Sequence, residues 1–292
     1  MFTILFLSFH SETHIRRLVS VIDKKYPIIV VENSLNIKLK KELEEKHENV
    51  KILIPAKNIG ISAGYNLGIR EAKTNYVKLT SADVIVTNES LKALEDCISK
   101  MENFAILGPT YDNETVYKNY RIWKPENLDA KVKNKNLEKY EIKEVDFVEN
   151  DFIINKSAFK DSIFFDENIF MYYETMDLCQ KVRKANKKIY VCKKIKFIHH
   201  GAQSVDSKFL NPYSLNRSWH YNWSKFYYFK KNFGYFFALR KIYPNFIRSF
   251  KSMILCRIFG KNEAYLSHKN EFSGILASIF NKPSNYRPFN DK

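Results

Sequence analysis

Four short apolar runs, rich in β-branched residues, open the chain and limit its fold more than any other feature: FTILFLS (2–8), PIIVV (27–31), VKILIP (50–55) and YVKLT (76–80). Each has the length of a buried strand. The segments between them follow a helical rhythm. Ser11 can cap a helix whose apolar positions include Ile15, Leu18, Val19 and Ile22, and a charged helix spans Lys38 to Lys46. Strands alternating with helices predict an α/β domain with an open, mostly parallel sheet covered by helices on both faces. Ligands of such sheets bind beyond the carboxyl ends of the strands. Glu32 and Asp83 stand at two of those ends.

Between the third and fourth runs lies NIGISAGYNLGIREA. Gly60, Gly64, Gly68 and Ala72 recur every fourth residue, so a helix over 62–73 would present a small-residue stripe able to pack tightly on the sheet. The alternative is that Asn58 and Gly60 form a loop that lets a nucleotide approach the backbone closely. The segment lacks the Gly-Lys-Ser/Thr ending of a P-loop and is not the dinucleotide GxGxxG pattern. Further on, ILGPTY reads as a strand, 124–144 as a polar exposed excursion, and VDFVENDFIINKSAF as a strand leading into a short helix. KKIYVC and KIKFIHHGAQS read as two more strands, the second running into His199-His200. Ahead of them, FMYYETMDLCQKV places Glu174 and Asp177 three apart where Leu178, Val182 and Ala185 begin an apolar helix face. Acids in a first turn are stabilised by the helix dipole and lie close together, so they either cap the helix or act jointly on a ligand.

The charge is uneven. Of a net +16, residues 205–292 hold 15 Lys/Arg against 4 Asp/Glu, and 22 of the chain's 44 aromatics. That shift predicts a second unit facing something anionic. Within it, Tyr243, Phe246, Ile247, Phe250, Met253, Ile254 and Ile258 form an apolar stripe. Arg248, Lys251 and Arg257 lie largely off it, and Pro244 suits a first helical turn. This is the pattern of an interfacial amphipathic helix, or of a basic helix packed on the rest of the chain. No apolar run reaches the ~18 residues of a membrane span. The opening lacks the basic region and cleavage site of a signal peptide. Cys97, Cys179, Cys192 and Cys256 are scattered without a CxxC, which fits reduced thiols in a cytosolic setting.

A carboxylate and an imidazole at strand ends can hold a divalent cation against a diphosphate. A second carboxylate, free of metal, can take the proton from an attacking hydroxyl. Together these describe group transfer from a nucleotide-diphosphate donor. The ordered segments LSFHSETHIRRLVSVI, VVENS, KNIGISAGYNLGIREA, LTSADV, FFDENIFMYYETMDLCQKV and FIHHGAQS resemble the family 2 glycosyltransferases over roughly residues 2–206. These are inverting GT-A enzymes, and the nearest resemblance is to rhamnosyltransferase-like members that build bacterial surface polysaccharides. The resemblance implies a GT-A-like catalytic domain over 1–206, with a basic, aromatic helical extension over 207–292. It implies a nucleotide-sugar donor bound by Glu32, Asn58, Gly60, Asn66, Ser81 and Asp83, and a divalent metal (Mn²⁺ or Mg²⁺) on Asp83 and His199, with His200 beside it. It implies a glycan or lipid-linked saccharide acceptor, a cytoplasmic enzyme with the membrane surface as a candidate partner, and no nucleic acid. Two positions depart from the family pattern. The metal-binding turn is Ser81-Ala82-Asp83, with only its last acid, and the usual base position holds Thr175. Glu174, or Asp177 after it, is then the candidate base, and Glu149 and Asp151 are acids that could line the acceptor side. Two rival readings are a nucleic-acid-binding protein, from the charge and aromatics, and a non-catalytic nucleotide-sugar binder, from Thr175.

Overall fold

The computed structural model describes residues 1–111, 119–122, 135–149, 151–160, 164–199 and 210–287. Two compact units separate. One comprises Met1–Ile59, Ala63–Phe165 and Leu178–Asp206, the other Gly60–Ser62, Asp166–Asp177 and Ser207–Lys292.

The first unit is built on a nine-stranded sheet. In chain order the elements up to the last strand, with the first residues of α3 and α5 belonging to the second unit, are β1 (Thr3–Ser8), α1 (Glu12–Val21), β2 (Ile28–Glu32), α2 (Ile37–Lys46), β3 (Val50–Leu53), α3 (Gly60–Glu71), β4 (Tyr76–Thr80), β5 (Val84–Ile85), α4 (Asn88–Ser99) and β6 (Ile106–Tyr111). After these come β7 (Tyr120–Arg121), β8 (Ile142–Glu144), β9 (Phe147–Val148), β10 (Phe152–Asn155), α5 (Glu174–Lys184) and β11 (Ile189–His199). The order is β3-β2-β1-β4-β10-β6-β11-β5, with β8 alongside β11. Pairing is parallel from β3 through β4 and again between β6 and β11. β10 runs antiparallel between β4 and β6.

Alternation along β1 explains the two-sided cover. Ile4 and Phe6 point into one core with Ile15, Leu18, Leu39, Leu91 and Leu94 from α1, α2 and α4. Leu5 and Leu7 point the other way, where α3 lies. A Cβ on Gly68 would collide with Leu5, and one on Gly64 would come within 2.9 Å of Leu7. The small-residue stripe therefore serves close helix–sheet packing. The helix starts are fixed locally: the Asn36 side chain accepts from Leu39 N–H at α2, and Thr87 from Ser90 N–H at α4.

Several sequence expectations shift. The two strands expected at KKIYVC and KIKFIHH are one strand, β11, with an irregularity between Cys192 and Lys196. Most of the 124–144 excursion lies outside the described residues, but its end is not an exposed excursion. Tyr140 and Ile142 are buried, and β8 pairs with β11. Cys97 and Cys192, distant in sequence, meet as buried thiols 3.2 Å apart.

In the second unit, α6 (Leu210–Phe233), α7 (Tyr235–Ile258) and α8 (Asn262–Ile279) follow one another. Gly234, at φ +94°, separates α6 from α7, a conformation that costs glycine little. Pro244 thus sits inside α7 rather than in a first turn. Phe226, Ala238, Ile242 and Ile275 form the shared core. Gly274 lets α8 touch the Trp219 carbonyl, where a Cβ would clash. Trp223 Nε1 donates to the Lys282 carbonyl at 2.8 Å, and Ser278 Oγ to that of Trp223 at 2.9 Å. The aromatics of α6 are thus consumed largely inside the bundle.

Candidate active site

In the first unit the chain leaves β1 for β2 and β3 on one side, then returns to place β4 on the other. The switch in direction lies between β1 and β4, where open sheets bind ligands at their carboxyl ends. The register puts Ser8 opposite Glu32, and Phe6 opposite Thr80, so the side chains of Ser8, Glu32 and Thr80 share one face of the sheet. All three are fully buried. Glu32 Oε1 accepts from the Ser34 backbone N–H at 2.8 Å and from the Ser34 hydroxyl. Glu32 Oε2, Ser8 Oγ and Thr80 Oγ1 have no hydrogen-bond partner among the described residues. Buried polar atoms are normally paired, so three such atoms at adjacent strand ends mark a place able to take hydrogen bonds.

Next to them, Ser81 Oγ donates to Asp83 Oδ1 at 2.6 Å, and only 6% of Asp83 is exposed. The short strand β5 follows at once. It pairs antiparallel with the end of β11, and His199 falls opposite Val84. The backbone therefore brings the Asp83 and His199 positions within one residue of each other in register, across 116 positions of sequence. His200 lies outside the described residues. A carboxylate and an imidazole suit a divalent cation that keeps phosphate and water ligands. Among the described residues no group of three or more His, Cys, Asp or Glu side chains converges.

Asn66 and Gly60 have other duties. Asn66 is buried, donates through Nδ2 to the Phe165 carbonyl and accepts at Oδ1 from the Phe165 N–H, both at 2.9 Å. It braces the irregular FFDE segment through both polar groups of its amide. Gly60 has φ +81°, and a Cβ there would run into the Phe170 ring and carbonyl. The neighbouring N–H of Ile61 donates to that carbonyl at 2.7 Å. Asn58 sits half-buried in the preceding loop. Nearby, Ile59 N–H donates to Asn33 Oδ1 at 3.3 Å.

In the second unit, the segment Asp166–Asp177 is tied to α6. Lys231 Nζ bridges Asp166 at 2.8 Å and Asp177 at 2.7 Å. Asn232 Nδ2 donates to Asp177 Oδ1 at 2.9 Å, Tyr227 Oη to Asp166 Oδ2 at 2.9 Å, and Ser224 Oγ to the Met171 carbonyl at 2.8 Å. Burial alone would raise the Asp166 carboxyl, but Lys231, the Asn168 N–H and Tyr227 outweigh it and hold its pKa below the usual range. Burial would likewise lower Lys231, and its two carboxylates raise it instead. Both oxygens of Asp177 are therefore engaged.

Immediately before α5, Tyr172 and Tyr173 both adopt φ +65°. Each left-handed L-residue costs ~1–2 kcal/mol, and such strain persists where surroundings over-determine it. Here the Tyr173 ring is held among Tyr221, Tyr228 and Phe229, and the Tyr172 hydroxyl accepts from Arg217. The double twist delivers Glu174 as the first residue of α5, half-buried, while Thr175 after it is buried.

Sequence reasoning did not single out Lys231, Asn232, Ser8 or Thr80. It named Asp151 for the acceptor side, and the structure corrects that. Asp151 is fully buried and ion-paired with Lys78, itself fully buried and lying 4.5 Å from the Phe197 ring centroid. The signal was a lysine inside YVKLT, since a charge in a buried strand needs a partner.

The profile of glycosyl transferase family 2 matches residues 7–164, more than half of the chain. The chain belongs to glycosyl transferase family 2. Enzymes of this family generally transfer a sugar from a nucleotide-diphosphate donor with inversion. A curated relative is the low-salt glycan biosynthesis hexosyltransferase Agl10 of Haloferax volcanii, 26% identical over 226 residues, spanning 73% of this chain and 71% of that one. Among solved structures, the mannosyltransferase PcManGT of Pyrobaculum calidifontis, in complex with GDP-Man and Mn²⁺, superposes with a TM-score of 0.55 at 10% identity. It covers 96% of this chain and 87% of its own. TarS 1-349 of S. aureus superposes with a TM-score of 0.50 at 12% identity, covering 98% and 93%. These likenesses show the GT-A fold: a mixed, mostly parallel sheet followed by a helical region, here rich in aromatic and basic residues.

Proposed function

We propose that this family 2 member is an inverting, metal-dependent hexosyl- or rhamnosyltransferase-like enzyme of polysaccharide assembly. It would move a sugar from a nucleotide-diphosphate donor to a hydroxyl of a glycan or lipid-linked acceptor. Residues 1–206 act as the catalytic domain and 207–292 as a helical extension. The enzyme works in the cytoplasm or against the inner face of the membrane. The observation that carries this reading is the register that sets His199 beside the Asp83 turn, together with the buried polar atoms at the carboxyl ends of β1, β2 and β4 that have no hydrogen-bond partner among the described residues.

Glu32 Oε2 would accept a hydrogen bond from the nucleoside, and Asn58 and Ser81 would add donor contacts. Asp83 and His199 would hold Mn²⁺ or Mg²⁺. A divalent cation bound there supplies charge stabilisation to a diphosphate leaving group. Glu174 takes the proton from the acceptor hydroxyl. The acceptor oxygen then bonds to the anomeric carbon as the bond from that carbon to the diphosphate oxygen breaks, and the nucleoside diphosphate departs with the electron pair. Glu174 is favoured over Asp177 because both Asp177 oxygens already serve Lys231 and Asn232.

A thermal-shift screen of UDP-, dTDP- and GDP-sugars with and without Mn²⁺ tests the donor class, because a ligand stabilises only the state it binds. One donor series should stabilise the protein only with metal, and NMR of the product should show an inverted anomeric centre. No stabilisation by any nucleotide sugar would sink the reading. Thr175, in place of the family's acid, supports a second reading, a nucleotide-sugar binder without transfer. Donor binding with neither transfer nor slow donor hydrolysis would establish that instead.

A further inference from the structure

The helix α7 carries two apolar faces. One is used internally: Ala238, Ile242 and Ser249 are buried, with Phe246 packed on the shared core. The other is turned largely to solvent, with the Phe250 ring also lying 5.5 Å from the Phe272 ring of α8. Phe236, Tyr243, Ile247, Phe250, Ile254 and Ile258 recur every three, four or seven residues, the spacing of a single stripe. Five of the six are exposed, Phe236 by 85%, Tyr243 by 63% and Ile258 by 70%. Phe259, just beyond the helix, is exposed by 70%. The stripe runs about 33 Å along the axis, and contiguous exposed apolar side chains, unlike single scattered ones, mark an interaction surface.

The charges around the stripe say what covers it. α7 contains Arg240, Lys241, Arg248, Lys251 and Arg257 and no Asp or Glu. Arg240 and Lys251 are exposed, lie within about 60° of the stripe's centre at 100° per residue, and make no ion pair among the described residues. Arg248, on the flank, is paired with Glu271. A second copy docked on this face would oppose cation to cation. No helix among the described residues is long and apolar enough to cross a membrane. An apolar stripe edged by unneutralised cations, lying along a surface, matches an anionic bilayer, with the ring and aliphatic groups at the acyl boundary and the cations at the headgroups.

We infer that the outer face of α7 is a docking surface for anionic lipid, holding the helix parallel to the bilayer plane. This goes beyond the transferase reading and does not depend on it, because lipid binding is read without any donor or metal.

The test is flotation of the purified full chain with vesicles of phosphatidylcholine alone or with phosphatidylglycerol at 30%, at ~0.15 M salt. Wild type should partition strongly to the anionic vesicles and weakly to the neutral ones. Arg240→Gln/Lys251→Gln should lower anionic partition about 30-fold, from two headgroup cations. Phe236→Ser/Ile258→Ser should lower it roughly tenfold or more. Both pairs are exposed, so melting temperatures should stay near wild type. Absence of vesicle binding overturns the inference. So does equal loss-free binding by both double variants. A concentration-dependent dimer in sedimentation, abolished by Phe236→Ser/Ile258→Ser without vesicle binding, would assign the face to a second copy and overturn it too. RNA binding lost in the charge variant alone, without lipid binding, would overturn it likewise.

Discussion

Glu174 and Asp177 sit one helical turn apart in different surroundings, with both Asp177 oxygens bonded to Lys231 and Asn232, and paired substitutions should tell their roles apart. In Asp177→Asn, the partner of Lys231 loses its charge, while Asn232 keeps an acceptor. A hydrogen bond to a charged group contributes about 1.5–3 kcal/mol. Lys231 is 38% exposed and retains Asp166, so the lower end applies, about 1.5–2 kcal/mol. For a chain of this size each kcal/mol moves the melting temperature by about 2–4 °C, giving a fall of about 3–8 °C. Turnover measured well below that temperature should change by less than about tenfold. Glu174→Gln is isosteric and removes a first-turn carboxylate charge whose interaction with the helix dipole contributes about 0.3–1 kcal/mol. Turnover should fall by about 10²–10⁴, the usual contribution of a general base. The assay is nucleoside-diphosphate release in the presence of acceptor, paired with differential scanning fluorimetry of the same samples. The reverse pattern, with Asp177→Asn inert but thermally intact and Glu174→Gln active, would refute the assignment.

Other outcomes follow from the same packing. Lys78→Met leaves the buried Asp151 charge alone, with Asp151 Oδ2 already lacking a hydrogen-bond partner among the described residues. Urea titration should show a loss of about 3–5 kcal/mol, and Lys78→Met/Asp151→Leu should recover most of it; equal loss in single and double variants would contradict the pairing. Gly60→Ala places a Cβ at positive φ against Phe170 and should cost about 2–4 kcal/mol by urea titration. His220 is fully buried, its Nδ1 2.8 Å from Ser284 Oγ and its Nε2 2.8 Å from the Tyr286 carbonyl. Burial pushes its pKa down to about 3, from 6.5. The unfolded chain therefore takes up a proton first, so the His220 contribution is complete above pH 6.5 and is lost as pH falls toward 3. The loss is at most about 1.4 kcal/mol per pH unit. A pH series of melting curves should be flatter over that window in His220→Gln than in wild type.

The sheet was largely legible because buried strands leave continuous apolar runs, and β1 to β4 stand where those runs predicted. What the runs could not show was order: nothing in FIINK announces that β10 inserts antiparallel between β4 and β6. Such pairing is set by three-dimensional packing, not by local pattern. The Gly64/Gly68 spacing predicted close packing on the sheet, and the collisions with Leu5 and Leu7 give its reason. The acids at 166 and 177 were visible, but the lysine that fixes both lies 54 residues beyond the second, in a tail read mainly for its charge. The stripe on α7 was visible as one pattern. Only the packing of α6 and α8 divides it into an inner and an outer face.

The central claim is that Asp83 and His199, brought together by β5 and β11, hold a cation against a donor diphosphate. Calorimetric titration of nucleoside diphosphate with and without Mn²⁺ tests it most directly. Wild type should bind at least about tenfold tighter with the metal, a difference of ~1.4 kcal/mol. That increment should vanish in Asp83→Asn and in His199→Ala while metal-free binding stays the same. The full Mn²⁺ increment surviving in both variants would contradict the account.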